Sequence, residues 1–239
     1  MSHDIGRKLV AEFVGTFALI FIGAGSIVAA YIVGGGDAGT SLVTIALAHG
    51  FVIAVMVSAV GHVSGGHFNP AVTIGAWTTA KIRGGDAVAY LGTQLLAGVA
   101  GALLLRATVP EEAWRGVSLG ATLIGDVGVA QAVAIEAVLT FFLVWVIFAV
   151  AVDPEGTFRA VAGLPIGLTV ALDIMMGGPL TGASMNPARS LGPAVAGGFW
   201  TDHWVYWVGP VAGGIIAAVL YDLLVLRRRH PEPTLEEAP

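Results

Sequence analysis

The chain has 239 residues, 56% of them hydrophobic and 11% charged, with a mean hydropathy of +0.85. Soluble domains carry roughly 25% charged residues, so this composition excludes a water-soluble globule and points to a membrane protein in a lipid bilayer. The formal net charge of −5 lies in loops and the C-terminal tail, which argues against a nucleic-acid partner, and the lack of any Cys excludes a disulfide, a thiol nucleophile and a Cys-based metal site.

In chain order, Met1 to Lys8 is polar, and the apolar run after it is long enough to remain as a span, so no cleavable leader is expected. The first span is predicted from about Leu9 to Val33, stopped by the Gly-rich stretch Gly34 to Gly39, and the second from about Leu42 to Val60. Gly61 to Phe68 is too rich in Gly and His for lipid-facing helix. It leads into Asn69-Pro70-Ala71, where Asn suits an N-cap and Pro the first helical position, and a short helix is predicted to about Ala80. Lys81 to Asp86 is a polar turn, and the third span runs from about Ala87 to Leu105. A loop of some twenty residues follows. The fourth span is about Val127 to Val152, ended by Asp153-Pro154, and the fifth is about Ala160 to Met176. Asn186-Pro187-Ala188 then repeats the earlier device, starting a helix that ends near Gly197. The sixth span is about Val205 to Leu226, followed by Arg227 to Arg229 and an acidic tail from Pro231 to Pro239.

Each short helix covers about 15 Å, half of a hydrocarbon core about 30 Å thick, so neither crosses alone and the two can meet at the midplane. Irregular backbone at that depth is tolerated only inside protein or beside water. The two Asn residues are 186 − 69 = 117 positions apart, and the halves of the chain echo each other elsewhere. Ala11-Glu12-Phe13 resembles Ile135-Glu136-Ala137, and Tyr90 to Gln94 lines up with Tyr206 to Pro210. Three spans per repeat is an odd number, which requires repeats of opposite topology, about 9–106 and 127–226, within one domain over 9–226. Arg7, Lys8, Lys81, Arg83, Arg159 and Arg227 to Arg229 fall on the side of both termini, against Arg106 and Arg115 on the other, so both the 1–8 segment and the 227–239 tail are expected in the cytoplasm. Gly163-Leu164-Pro165-Ile166-Gly167 and Gly209-Pro210-Val211-Ala212-Gly213 are spaced for close helix packing.

Two opposed helix N-termini at mid-bilayer present unsatisfied N–H groups and about half a positive charge each, which repels cations, hydronium included. An Asn cap gives its side-chain oxygen to the helix and keeps NH₂ for the lumen, so a water held by Asn69 and Asn186 must turn its own hydrogens away. Arg189, near the N-terminus of the second short helix, costs at least about 2.5 kcal/mol at that depth unless compensated, and the carbonyls of Gly182 to Ser184 are the expected acceptors. Its counterpart in the first repeat is Val72, so one mouth alone carries this group. Glu12 and Glu136 are expected to face the bundle and accept N–H groups of the irregular loops. His67 is expected to brace its loop and His62 to lie at the inner mouth. Asp173 receives no role. No nucleophile–base pair or phosphate-cradling loop is apparent, so neither an enzyme nor a cofactor or metal is expected.

Duplicated Asn-Pro-Ala boxes in mirrored repeats of a six-span chain resemble the aquaporin (major intrinsic protein) family, over roughly Leu9 to Leu226. The resemblance implies an all-α membrane fold of six transmembrane helices plus two re-entrant half-helices, a homotetramer, and passive passage of water and small neutral solutes. It also implies a constriction built from His49, Ile174, Ala183 and Arg189, counted from the two boxes. This set is similar to that of plant tonoplast intrinsic proteins, which implies passage of ammonia, urea or hydrogen peroxide with water. Glycerol facilitators of the family carry Asp after the filter Arg, where this chain has Ser190. The rival reading is a proton-coupled secondary transporter, which shares inverted repeats and broken helices. A cell-membrane location is the expectation.

Overall fold

The computed structural model describes residues 4–36, 41–156 and 159–227, and among these every regular element is helical. Six helices are long and apolar enough to cross a membrane: Ile5–Val33, Leu42–Ser64, Gly84–Thr108, Val129–Val152, Gly163–Thr181 and Val205–Leu226. Two short helices, Pro70–Thr78 and Pro187–Gly197, follow the second and fifth spans. The tail from Pro231 to Pro239 lies outside the described residues, as do Asp37 to Gly39.

Boundaries of the third and fifth spans differ from the sequence expectation. The fifth span runs through Pro179 to Thr181 and ends on Gly182, whose left-handed backbone (φ 81) supplies the usual helix stop. The third span starts at Gly84 and reaches Thr108, and Asp86 sits in its first turn, where a carboxylate suits the helix dipole. The loop after it contains a short helix, Glu111–Gly116, that sequence reading did not find. Its Trp114 packs beneath Arg106 and Arg115, which stack over the ring.

The packing repeats under exchange of the halves. The first span packs on the third and the fourth on the sixth. The third span packs on the second half-helix, the sixth on the first, and the second and fifth cross each other at the centre. At that crossing a Cβ added to Gly50 would lie 2.5 Å from the Gly167 carbonyl oxygen, and one on Gly167 would overlap the Gly50 carbonyl. Backbone therefore touches backbone, and no side chain can yield. Gly213 meets the Ala137 carbonyl in the same way between the sixth and fourth spans. Gly167→Ala is expected to cost at least about 2 kcal/mol by overpacking. That corresponds to about 4 °C or more in the thermal midpoint of the detergent-solubilised protein. Gly92→Ala, where an added Cβ meets nothing within 4 Å, should leave the midpoint unchanged or raise it.

Candidate pore and its constriction

Both short helices begin as expected from their Asn-Pro starts. Asn69 is extended (φ −157, ψ 121) and its side-chain oxygen accepts from the Ala71 N–H at 2.8 Å. Asn186 is extended likewise and its oxygen accepts from Ala188 at 3.0 Å and Arg189 at 3.3 Å. Pro70 and Pro187, which lack an N–H, occupy the first helical position of each. The amide nitrogens then reach across: Asn69 Nδ2 donates to the Met185 carbonyl at 2.8 Å and Asn186 Nδ2 to the Phe68 carbonyl at 2.9 Å. The half-helices are thus tied end to end. One hydrogen of each NH₂ is consumed in this tie, which sequence reasoning did not foresee, and one is left for the lumen.

Phe68 (φ 49) and Met185 (φ 53), the residues before each Asn, are held in the left-handed region that bulky side chains rarely adopt. Buried carboxylates impose that geometry. Glu12 accepts from the Phe68 N–H at 2.7 Å, the His67 N–H at 2.9 Å, Ser64 Oγ at 2.7 Å and Gln94 Nε2 at 2.8 Å. Glu136 accepts from the Met185 N–H at 2.8 Å, the Ser184 N–H at 2.9 Å and Thr181 Oγ1 at 2.7 Å. Tyr90 and Tyr206 complete the two shelves by donating to the Ser64 and Thr181 carbonyls. Without these carboxylates the loop N–H groups would be unpaired at membrane depth, where each costs several kcal/mol. His67 is joined to Thr73 Oγ1 at 3.0 Å and packs edge-on to Tyr90.

Arg189 is 4% exposed and donates from Nη1 to the Gly120 carbonyl at 2.7 Å, with Nη2 3.4 Å from His49 Nε2. The expected acceptors at 182–184 are replaced by a carbonyl from the loop before the fourth span. That loop turns through three successive left-handed residues, Ser118, Leu119 and Gly120, which tuck Gly120 against Ala24 of the first span. His49 Nδ1 lies 2.9 Å from the Ile45 carbonyl, an acceptor only, so the proton sits on Nδ1 and Nε2 offers its lone pair to Arg189. His49, Ile174, Ala183 and Arg189 line one narrow central cavity together with Asn69 and Asn186. The space open to a water's centre is about 40 Å³ there, against about 600 Å³ in the compartment walled by Lys8, Lys81 and Arg83 and about 220 Å³ in that walled by Ile27, Ile45 and Leu123. A single water needs roughly 10–15 Å³ by this measure, so the centre accommodates a thin file and no more. His67, Val72, Ile147 and Ile166 border both the centre and the larger vestibule, while His49, Ile174 and Arg189 border both the centre and the smaller one.

One expected position differs, and one that carried no expected role can be placed. His62 is exposed near the end of the second span and lines neither the centre nor the adjoining vestibule, so the structure does not set it at the inner mouth. Asp173 is buried beside Ile174 but does not line the central cavity, and its Oδ2 has no hydrogen-bond partner among the described residues.

The family described as major intrinsic protein matches residues 1–221. The chain belongs to the major intrinsic protein family. Among curated relatives, this family member is 45% identical to aquaporin TIP4-4 of Zea mays over 97% of its own length and 92% of that protein's. It is 44% identical to aquaporin TIP1-2 of Zea mays over 96% and 90%. The aquaglyceroporin structure from Plasmodium falciparum superposes with a TM-score of 0.82 at 24% identity, covering 92% of this chain and 97% of that one, a likeness of fold. This major intrinsic protein is therefore a multi-pass membrane channel protein and not an enzyme. Sequence reasoning missed Gly120, Ser64 and Thr181 in its pore region. Tyr90, Gln94 and Tyr206 had been visible as repeat echoes, but the spacing carried no hint of what they touch.

Proposed function

We propose that this protein conducts water passively through each subunit while excluding protons and ions. The observation that carries the reading is the end-to-end contact of two half-helices whose Asn caps line the small central cavity. Their ends contribute about half a positive charge each, and Arg189 adds a full one nearby. A water accepting the remaining amide hydrogens of Asn69 and Asn186 has its own hydrogens turned outward, which breaks the chain that proton hopping requires. A proton-coupled transporter would need a titratable group in the path, and paired cationic ends oppose a proton there.

Osmotic shrinkage of proteoliposomes tests this directly. Water flow should be fast and weakly temperature-dependent, with proton flux at the level of bare lipid; robust proton current would overturn the reading. Mercurial reagents should leave the flow unchanged, because the chain has no Cys. The wall formed by His49 and Arg189 opposite Ile174 suits small neutral solutes such as ammonia, urea or hydrogen peroxide. Ser190 is engaged by Ser184 and Thr122, both at 2.6 Å, where a glycerol facilitator would carry Asp, so glycerol is the lesser alternative. Ammonia flux no faster than through protein-free vesicles would sink the wider solute range.

Lys8, Lys81 and Arg83 gather at one vestibule, which supports cytoplasmic termini on that side. The relatives are of the TIP type, the group whose filter this chain resembles, so the expected plasma-membrane location loses its support. A homotetramer remains our reading of the assembly, to be checked by native mass spectrometry.

A further inference from the structure

The inverted repeat brings corresponding residues to the two ends of the pore, and the ends are not alike. With Glu12 matched to Glu136, Leu19 of the first span matches Leu143 of the fourth, and both line the central cavity. One turn further, Gly23 matches Ile147. With Asn69 matched to Asn186, and Gly50 to Gly167 as their reciprocal contact requires, His49 matches Ile166. The inner end therefore pairs two isoleucines where the outer end pairs a glycine with an imidazole. Space explains the pairing. A Cβ on Gly23 would lie 2.6 Å from His49 Cδ2 and 2.7 Å from Nε2, well inside ordinary contact. Gly23 stands in a π-helical turn, Leu19–Ala24, and its carbonyl accepts from Ser26 Oγ at 2.6 Å. The next residue, Ala24, backs the Gly120 loop that holds Arg189.

We propose, resting on the reading of His49 and Arg189 as the solute filter, that Gly23 is a positioning residue that sets the filter's aperture. The missing side chain lets the His49 ring lie back against the first span, with Nδ1 on Ile45 and Nε2 toward Arg189. A methyl group at position 23 leaves the Nδ1 tether as the pivot and swings the free edge of the ring into the path. The aperture then closes first to the wider solutes.

The test is Gly23→Ala, His49→Ala and the double variant Gly23→Ala/His49→Ala in proteoliposomes, scored by the urea-to-water permeability ratio. Gly23→Ala should lower that ratio at least about threefold, since pore diameter discriminates by size. In the His49→Ala background the same change should have no effect, because the ring it displaces is gone. A wild-type ratio in Gly23→Ala, or an equal drop with and without the ring, overturns the proposal. If Gly23→Ala alone fails to insert, the double variant must insert normally, and failure of both also overturns it. Fast water flow in the wild-type channel tests the underlying reading separately.

Discussion

Arg189→Val should raise proton conductance by up to about 10³-fold while water flow stays within a few-fold of wild type. The guanidinium is buried and points at the file of water, and a unit charge 4 Å away at an effective dielectric near 20 is worth about 4 kcal/mol. Each 1.36 kcal/mol of barrier is about tenfold in rate. Urea permeability should rise in the same variant, because a bulky side chain lining the cavity is gone and the Gly120 carbonyl is freed to accept from a solute. The measurement is a vesicle-trapped pH dye under an imposed gradient, run beside osmotic shrinkage. Proton flux unchanged from wild type would mean that the half-helix ends carry all of the exclusion, and Arg189 only shapes the opening.

Glu136→Gln should destabilise the protein by about 2–4 kcal/mol, and more than the matching Glu12→Gln. Replacing an oxygen by NH₂ leaves a buried loop N–H facing another donor, at about 1–3 kcal/mol for each unpaired group. In the first repeat Gln94 contacts Glu12 Oε2 and can turn its amide to accept from the new NH₂. In the second repeat the residue at that place is Pro210, which has nothing to turn, so the amide and the Met185 N–H are both stranded. The difference between the variants should be about 1–2 kcal/mol, or roughly 2–8 °C in thermal midpoint. Equal losses, or a larger one for Glu12, would show that the shelves do not act through these hydrogen bonds.

Much of this pore was legible in the chain because its devices are local. An Asn-Pro pair sets a cap and a first turn through bonds spanning two or three residues, and Asn69 and Asn186 each keep that bond in the structure. Gly spaced four apart reads as close packing because a helix places such residues on one face, and Gly163, Gly167, Gly209 and Gly213 all meet a neighbouring helix closely. Glu12 and Glu136 were readable as loop supports since a carboxylate inside lipid must find donors. Long-range partners were not. The acceptor for Arg189 comes from a residue 69 positions away, through a loop whose left-handed turns leave no apolar periodicity to read. The fifth span was expected to end near Met176, but packing carries the helix on through Pro179 to Gly182.

Composition and the duplicated boxes by themselves determined that this chain lives in lipid, crosses it six times and turns two half-helices toward each other, because burial of apolar surface and satisfaction of helix ends are requirements of each segment alone. Only the tertiary structure decided that each Asn spends one hydrogen on the opposite loop, that Gly120 holds Arg189, and that Gly23 makes room for His49. Those choices depend on which backbone atoms of distant segments arrive within hydrogen-bonding or contact distance once the two repeats interlock.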